Sequence, residues 1–151
     1  MPEVDVDWDH PTDPKPGWTL DHVREYVDTA GAGGHIWRGV PTLLLTTIGR
    51  TTGRTHRTPL IYGVDPDTDR LVVVASAGGA PEHPSWYRNL DADPEVRVQV
   101  GPAVSHAKAR TALPEEREAF WGLMTGLWPA YDDYQSATTR EIPLVFLDRC
   151  A

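Results

Sequence analysis

The chain has 151 residues, 40% of them hydrophobic and 24% charged, with a formal net charge of -8 from 22 acidic against 14 basic side chains. That length and balance predict one soluble globular domain with a buried core, and the acidic excess argues against nucleic acid as a partner, since such binding neutralises many phosphates. The lone Cys150 excludes an internal disulfide and suits a reducing, cytoplasmic setting. No apolar run is long enough to insert stably in a membrane, and the N-terminus lacks the pattern of a signal peptide.

Residues 1–18 combine Asp with prolines at 2, 11, 14 and 16 and two isolated tryptophans, Trp8 and Trp18. The prolines oppose regular structure and the acids favour solvation, so a flexible acidic arm precedes a single domain over 19–151. Thr19 is placed to cap a helix running to about Ala30, with Leu20, Val23 and Val27 on one face. The GAGG at 31–34 lacks the ending of a phosphate loop and reads as a connector.

Strands are predicted at 42–48 and 58–64, on either side of a turn holding Gly49, Arg50, Gly53, Arg54, His56 and Arg57. A third strand, 71–76, follows the turn DPDTD, and one or two helical turns occupy 84–90. Alternation predicts strands at 96–100 and 104–110, and Pro114 opens a helix whose apolar face carries Phe120, Leu123 and Leu127. A helical turn would put Tyr131 and Tyr134 on one side, and 142–147 closes the series as a sixth strand. Six strands on short turns, with few helices, predict a small antiparallel barrel of α+β type.

The histidines show no metal-ligand spacing, and the G-x-S-x-G and G-x-G-x-x-G motifs are absent. The arginine forks and amides of the 49–57 turn suit a phosphate or carboxylate, and a solvated hairpin end explains that turn equally well. Ser76-Ala77-Gly78-Gly79 would let a planar ring approach the backbone, with Ser76 a hydrogen-bond donor, although a loop needing glycine dihedrals is the simpler account. Trp86, Trp128, Tyr131 and Tyr134 are ordinary core residues by type, but a tyrosine at a cleft mouth can orient an acceptor or pass it a proton.

The motifs GRTTGRTHRTPLIY, VVVASAGGAPEHPSWYRNLDADPEVRVQV, WPAYDDYQ and REIPLVFLDR together resemble the deazaflavin-dependent nitroreductase and quinone reductase family, from about Trp37 to Arg149. The resemblance implies a split β-barrel of flavin-reductase-like kind, six-stranded and mostly antiparallel with flanking helices. It implies coenzyme F420, an 8-hydroxy-5-deazaflavin bearing a phosphate and a polyglutamate tail. By position, Arg50, Thr51, Arg54, His56 and Arg57 would lie near the phosphate and tail. Pro59, Ala75, Ser76, Ala77 and Trp86 would follow the deazaflavin, and Trp128, Tyr131, Tyr134 and Ser85 would face the acceptor.

Many relatives carry lysine at the positions of Thr51 and Ala77, a loss that Arg54 and Arg57 could offset. Ser85 stands where some relatives have a bulkier residue and would widen the cleft. The implied reaction is hydride transfer from reduced F420 to a quinone or nitroaromatic, with Tyr131, Ser76 and Tyr134 as candidate catalytic residues. An FMN-binding split-barrel oxidoreductase and a non-catalytic deazaflavin carrier or sensor are the competing readings. Barrels of this kind often form homodimers.

Overall fold

The computed structural model describes residues 6–150. Helix α1 (Trp18–Asp28) is followed by strands β1 (Ile36–Trp37), β2 (Val40–Ile48), β3 (Thr55–Ile61), β4 (Gly63–Val64) and β5 (Leu71–Val74). A 3-10 turn (Ala77–Gly79) and helix α2 (Ser85–Ala92) lead into β6 (Glu95–Val100) and β7 (Ala103–Thr111). Helices α3 (Pro114–Leu127) and α4 (Ala130–Ser136) precede β8 (Leu144–Arg149). The strands form one antiparallel sheet in the order β1-β2-β6-β7-β8-β5-β4, with β3 bonded to β2.

All six expected strands are present, the second of them (58–64) divided between β3 and the two-residue β4, and the two-residue β1 brings the number to eight among the described residues. The second expected strand is shifted: β3 starts at Thr55 and pairs along its length with β2, from Ile48↔Thr55 to Thr42↔Ile61. His56 and Arg57 are therefore strand residues, and the turn proper is confined to 49–54. Pro59 sits in mid-strand opposite Leu44, where it is tolerated because β2 is the one strand bonded to β3 among the described residues.

The period-two alternation of the strands divides the apolar side chains between two faces. Leu43, Leu45, Leu71, Val73, Val145 and Leu147 belong to the inner cluster with Val96 and Val98. Their neighbours Val72, Val74, Leu144 and Phe146 face outward under α3 and α4, against Met124, Ile142 and Tyr131. Leu44 points outward beneath Val23 and Tyr26 of α1.

Two helical expectations are corrected. Helix α1 begins one residue before Thr19, with Gly17 at its cap position. Its buried face carries Leu20, Val23 and Tyr26, whereas Val27 is 39% exposed. Tyr26 wins the buried place because its hydroxyl has partners inside, lying 3.0 Å from the Thr42 carbonyl and accepting the Gly101 N–H at 2.7 Å. On α3, Met124 is the fully buried residue and Leu123 stays 37% exposed.

The 31–34 connector also has a packing role. Gly31 has a φ of 83°, and a Cβ there would stand 2.3 Å from the Gly101 Cα, so α1 and the β6–β7 turn meet backbone to backbone. Tyr26→Phe would leave the partly buried Gly101 N–H without its acceptor. The expected cost is about 1–3 kcal/mol, to be read from a shifted urea midpoint with unchanged slope.

Of the arm, residues 1–5 lie outside the described residues. Residues 6–17 run beside β3 and β6. The Thr12 N–H donates to the Thr55 carbonyl at 2.7 Å, and the Arg57 N–H donates to the Thr12 carbonyl at 2.8 Å. Trp8 meets the His106 ring edge-on with centroids 5.4 Å apart. No helix among the described residues is long and apolar enough to cross a membrane.

Candidate functional site

Two cavities open along β3. The first, of about 430 Å³, takes Arg50, Thr51 and Thr52 from the 49–54 turn, His56 and Arg57 from β3, and Ser85, Trp86 and Asn89 from α2. Asn89 is 4% exposed and organises this wall. Its Oδ1 accepts the Arg50 amide at 3.2 Å and the Arg50 Nη1 at 2.7 Å, while its Nδ2 donates to the Thr47 hydroxyl at 3.1 Å. A buried amide with both ends satisfied fixes the Arg50 backbone and side chain together.

The three arginines of this region are held to different degrees. Arg57 forms a forked pair with Asp13, Nε to Oδ1 at 2.7 Å and Nη2 to Oδ2 at 2.8 Å. Arg50 is tied to Asn89 and, more loosely, to the Ser85 carbonyl at 3.3 Å. Arg54 is exposed, and its guanidinium has no hydrogen bond or ion pair among the described residues. A cleft lined by one half-committed guanidinium, with the uncommitted Arg54 on the same 49–54 turn but outside the lining, suits an incoming anion.

The second cavity, of about 350 Å³, begins where the first ends. Thr58 lines the first, and the next residues of β3, Pro59, Leu60 and Ile61, line the second. Its other walls are Trp18 of α1, Trp37 of β1, Trp128, Tyr131 and Tyr134, with Ser76 and Gly78 from the loop after β5. Trp18 and Trp37 stack at 5.7 Å, and Trp37 meets Trp128 at 5.5 Å. Tyr131 is 5% exposed and packs edge-on against Tyr134 at 6.1 Å. Burial, with the Tyr134 phenol as a smaller influence, pushes the Tyr131 hydroxyl well above the usual phenol range. It remains a neutral donor at any working pH.

The loop after β5 is clamped by Arg140. Its Nη2 donates to the Ser76 carbonyl at 2.7 Å, its Nε to the Ala80 carbonyl at 2.8 Å, and its Nη1 to the Ala75 carbonyl at 3.2 Å. The same Nη1 lies 3.0 Å from Nδ1 of His83. Burial and the neighbouring Arg140 cation hold the His83 imidazole below its usual range, so it accepts as the neutral ring. Gly79 (φ 82°) completes the contact, since a Cβ there would stand 2.7 Å from the Tyr134 carbonyl.

The structure thus gathers Arg50, Thr51, His56, Arg57 and Trp86 in one cavity and Pro59, Ser76, Trp128, Tyr131 and Tyr134 in the other. Ser85, expected on the acceptor side, lines the cationic cavity instead, because α2 packs behind the turn. Ala75 is fully buried in the inner core, and neither Ala77 nor Arg54 lines either of these two cavities. Sequence reasoning missed Asp13, Asn89, Trp37 and Arg140, whose roles depend on partners 39 or more residues distant, save that Trp37 also stacks on the nearer Trp18 and His22.

A curled antiparallel sheet flanked by four helices defines a split barrel of the flavin-reductase-like and pyridoxamine-oxidase-like kind. The fold recurs in HutZ, described as a heme storage protein of Vibrio cholerae, at 14% identity and a TM-score of 0.52 over 73% of this chain and 82% of that one. Within that class the chain belongs to the F420H(2)-dependent quinone reductase family, whose model matches residues 18–149.

An F420H(2)-dependent quinone reductase of Mycobacterium tuberculosis is 38% identical over 132 residues, 85% of this chain and 87% of the relative. A solved F420-H2 dependent reductase is 39% identical with a TM-score of 0.66, over 77% of this chain and 100% of that one. A further structure, described as a domain-swapped dimer, is 36% identical with a TM-score of 0.68, over 85% and 92%. Membership makes this chain an oxidoreductase with F420 as its cofactor, in preference to the FMN alternative. The residues present fit that group, with an anion-seeking cleft at one end and a ring-sized cavity of small and aromatic side chains at the other.

Proposed function

We propose that the chain reduces a quinone, nitroaromatic or similar electron-poor acceptor by hydride transfer from reduced F420. The observation that carries this is the continuity of β3, whose successive residues line first the cationic and then the aromatic cavity. From Arg57 to Ile61 the strand spans about 13 Å, a length that suits a ligand with a charged tail and a planar head. Arg50, Thr51, His56 and Arg54 would hold the phosphate and tail beside Trp86, and Pro59 and Ser76 would border the deazaflavin.

When bound, the reduced deazaflavin supplies the hydride. Trp128, Trp37 and Tyr134 would stack and confine the acceptor and exclude water from it. Tyr131, kept protonated by burial, would donate a hydrogen bond to the acceptor oxygen on which charge develops, with Ser76 as a second donor. An assembly of two copies is the proposed state in solution, as in the domain-swapped relative.

The test mixes the protein with reduced F420 and menadione and follows cofactor reoxidation. Absence of turnover with menadione and with a panel of quinones and nitroaromatics would sink the reading. Tyr131→Phe is expected to lower kcat about tenfold or more while leaving cofactor affinity unchanged. No tyrosine limb is expected in the wild-type pH–rate profile below pH 10.

A further inference from the structure

The cationic cavity is walled in part by the chain's own acid. Thr12, Asp13 and Pro14 line it beside Arg50, His56 and Arg57. The Asp13 carboxylate and the Arg57 guanidinium are 26% and 20% exposed, so this pair is partly desolvated and its fork geometry is favourable. Besides the Trp8–His106 ring contact, the arm that presents Asp13 is held by few other ties among the described residues. These are the Thr12 backbone pair, the Thr55 hydroxyl on the Asp7 carbonyl at 2.7 Å, and Arg97 Nη1 on the Trp8 carbonyl and Asp9 carboxylate at 3.1 Å each. It is the kind of segment that opens locally at low cost.

We propose that Asp13 is a specificity-determining residue of this cleft, an internal carboxylate that holds Arg57 until a ligand bearing several negative charges displaces it. The inference rests on the reading of the cleft as the site of an anionic tail. A first negative charge finds the uncommitted Arg54 and the half-committed Arg50. Only a ligand with a further carboxylate or phosphate within reach gains by taking Arg57 from Asp13. A ligand without such charges leaves the arm in place, so the cleft discriminates by the number of charges on the tail rather than by its presence alone.

The test uses the full chain and Asp13→Asn, which keeps the side-chain shape and removes the charge. Calorimetry would measure three probes: polyglutamylated F420, the same chromophore lacking phosphate and glutamates, and a tri-γ-glutamate peptide. Asp13→Asn is expected to bind the tailed coenzyme and the peptide about fivefold more tightly, an advantage that shrinks at high salt. The tailless chromophore should bind both proteins alike. Hydrogen exchange at the Thr12 and Arg57 amides of the wild type should accelerate when the tailed coenzyme binds.

Equal or weaker binding of the tailed coenzyme by Asp13→Asn would overturn the proposal, as would undiminished protection of those two amides in the complex. Peptide binding enhanced in Asp13→Asn upholds it even where the coenzyme binds neither protein, an outcome that defeats only the F420 reading. Silence of both proteins toward all three probes defeats the two together.

Discussion

Arg140→Ala is expected to be among the most damaging single changes in this protein, lowering stability by about 3 kcal/mol and turnover with it. The guanidinium satisfies the carbonyls of Ala75, Ser76 and Ala80 and the Nδ1 of His83 from one planar group. Alanine would take their donor from the Ala75 and Ala80 carbonyls, leave the Ser76 carbonyl with the Gly79 N–H at 2.9 Å, and free the loop that places Ser76 and Gly78 in the aromatic cavity. Arg140→Lys should recover only part of the loss, because one ammonium cannot reach what a planar fork reaches. Added guanidinium ion should rescue the alanine variant in part, whereas a general loss of packing would not respond to it.

A titration supplies an independent readout of the same contact. His83 is depressed by burial first and by Arg140 second. The folded state therefore disfavours the proton that the unfolded chain accepts near pH 6.5. Its contribution to stability is complete above that pH and is lost as the pH falls through the folded value. Removing the Arg140 cation should raise the folded value and narrow that window, as an NMR titration of the His83 ring would show.

The second large effect is expected at the Arg50–Asn89 pair. Arg50→Met should weaken binding of the tailed coenzyme by about ten- to a hundredfold, since a hydrogen bond to a charged partner contributes roughly 1.5–3 kcal/mol. Asn89→Ala should reproduce much of that loss while Arg50 is still present. It would release the arginine and strand the Thr47 hydroxyl together with the Arg50 amide. Equilibrium titration of cofactor fluorescence, paired with urea unfolding, separates the two. Arg50→Met should shift affinity with little change in stability, and Asn89→Ala should shift both.

Much of the fold was legible in the sequence because alternation and turn chemistry are local. Val96, Val98 and Val100 declared a strand by their alternation, and Asp65 to Asp69 declared a turn. The start of β3 was misjudged because Thr55, His56 and Arg57 look like loop residues by type. Their strand geometry comes from seven pairings with β2, a tertiary cause that overrides propensity.

The candidate site was legible in part for a related reason. The family motifs carry Arg50, Ser76 and the Trp128–Tyr134 row, so these residues could be named in advance. Trp37 and Trp18 could not, because isolated tryptophans announce no partner until α1 and β1 fold over the cavity. Asp13 lay in a segment whose composition suggested only solvation, and its meaning depends on Arg57, 44 positions further on.

The pairing of β3 with β2 has one more consequence, for insertions and deletions. Alternate residues of an extended strand face opposite sides, so a one-residue slip inverts every side chain it carries. The loop from Gly49 to Arg54 sets where β3 begins against Ile48. Shortening that loop by a single residue would either unpair Thr55 or advance the whole strand, turning Arg57 and Pro59 away from their cavities at one stroke.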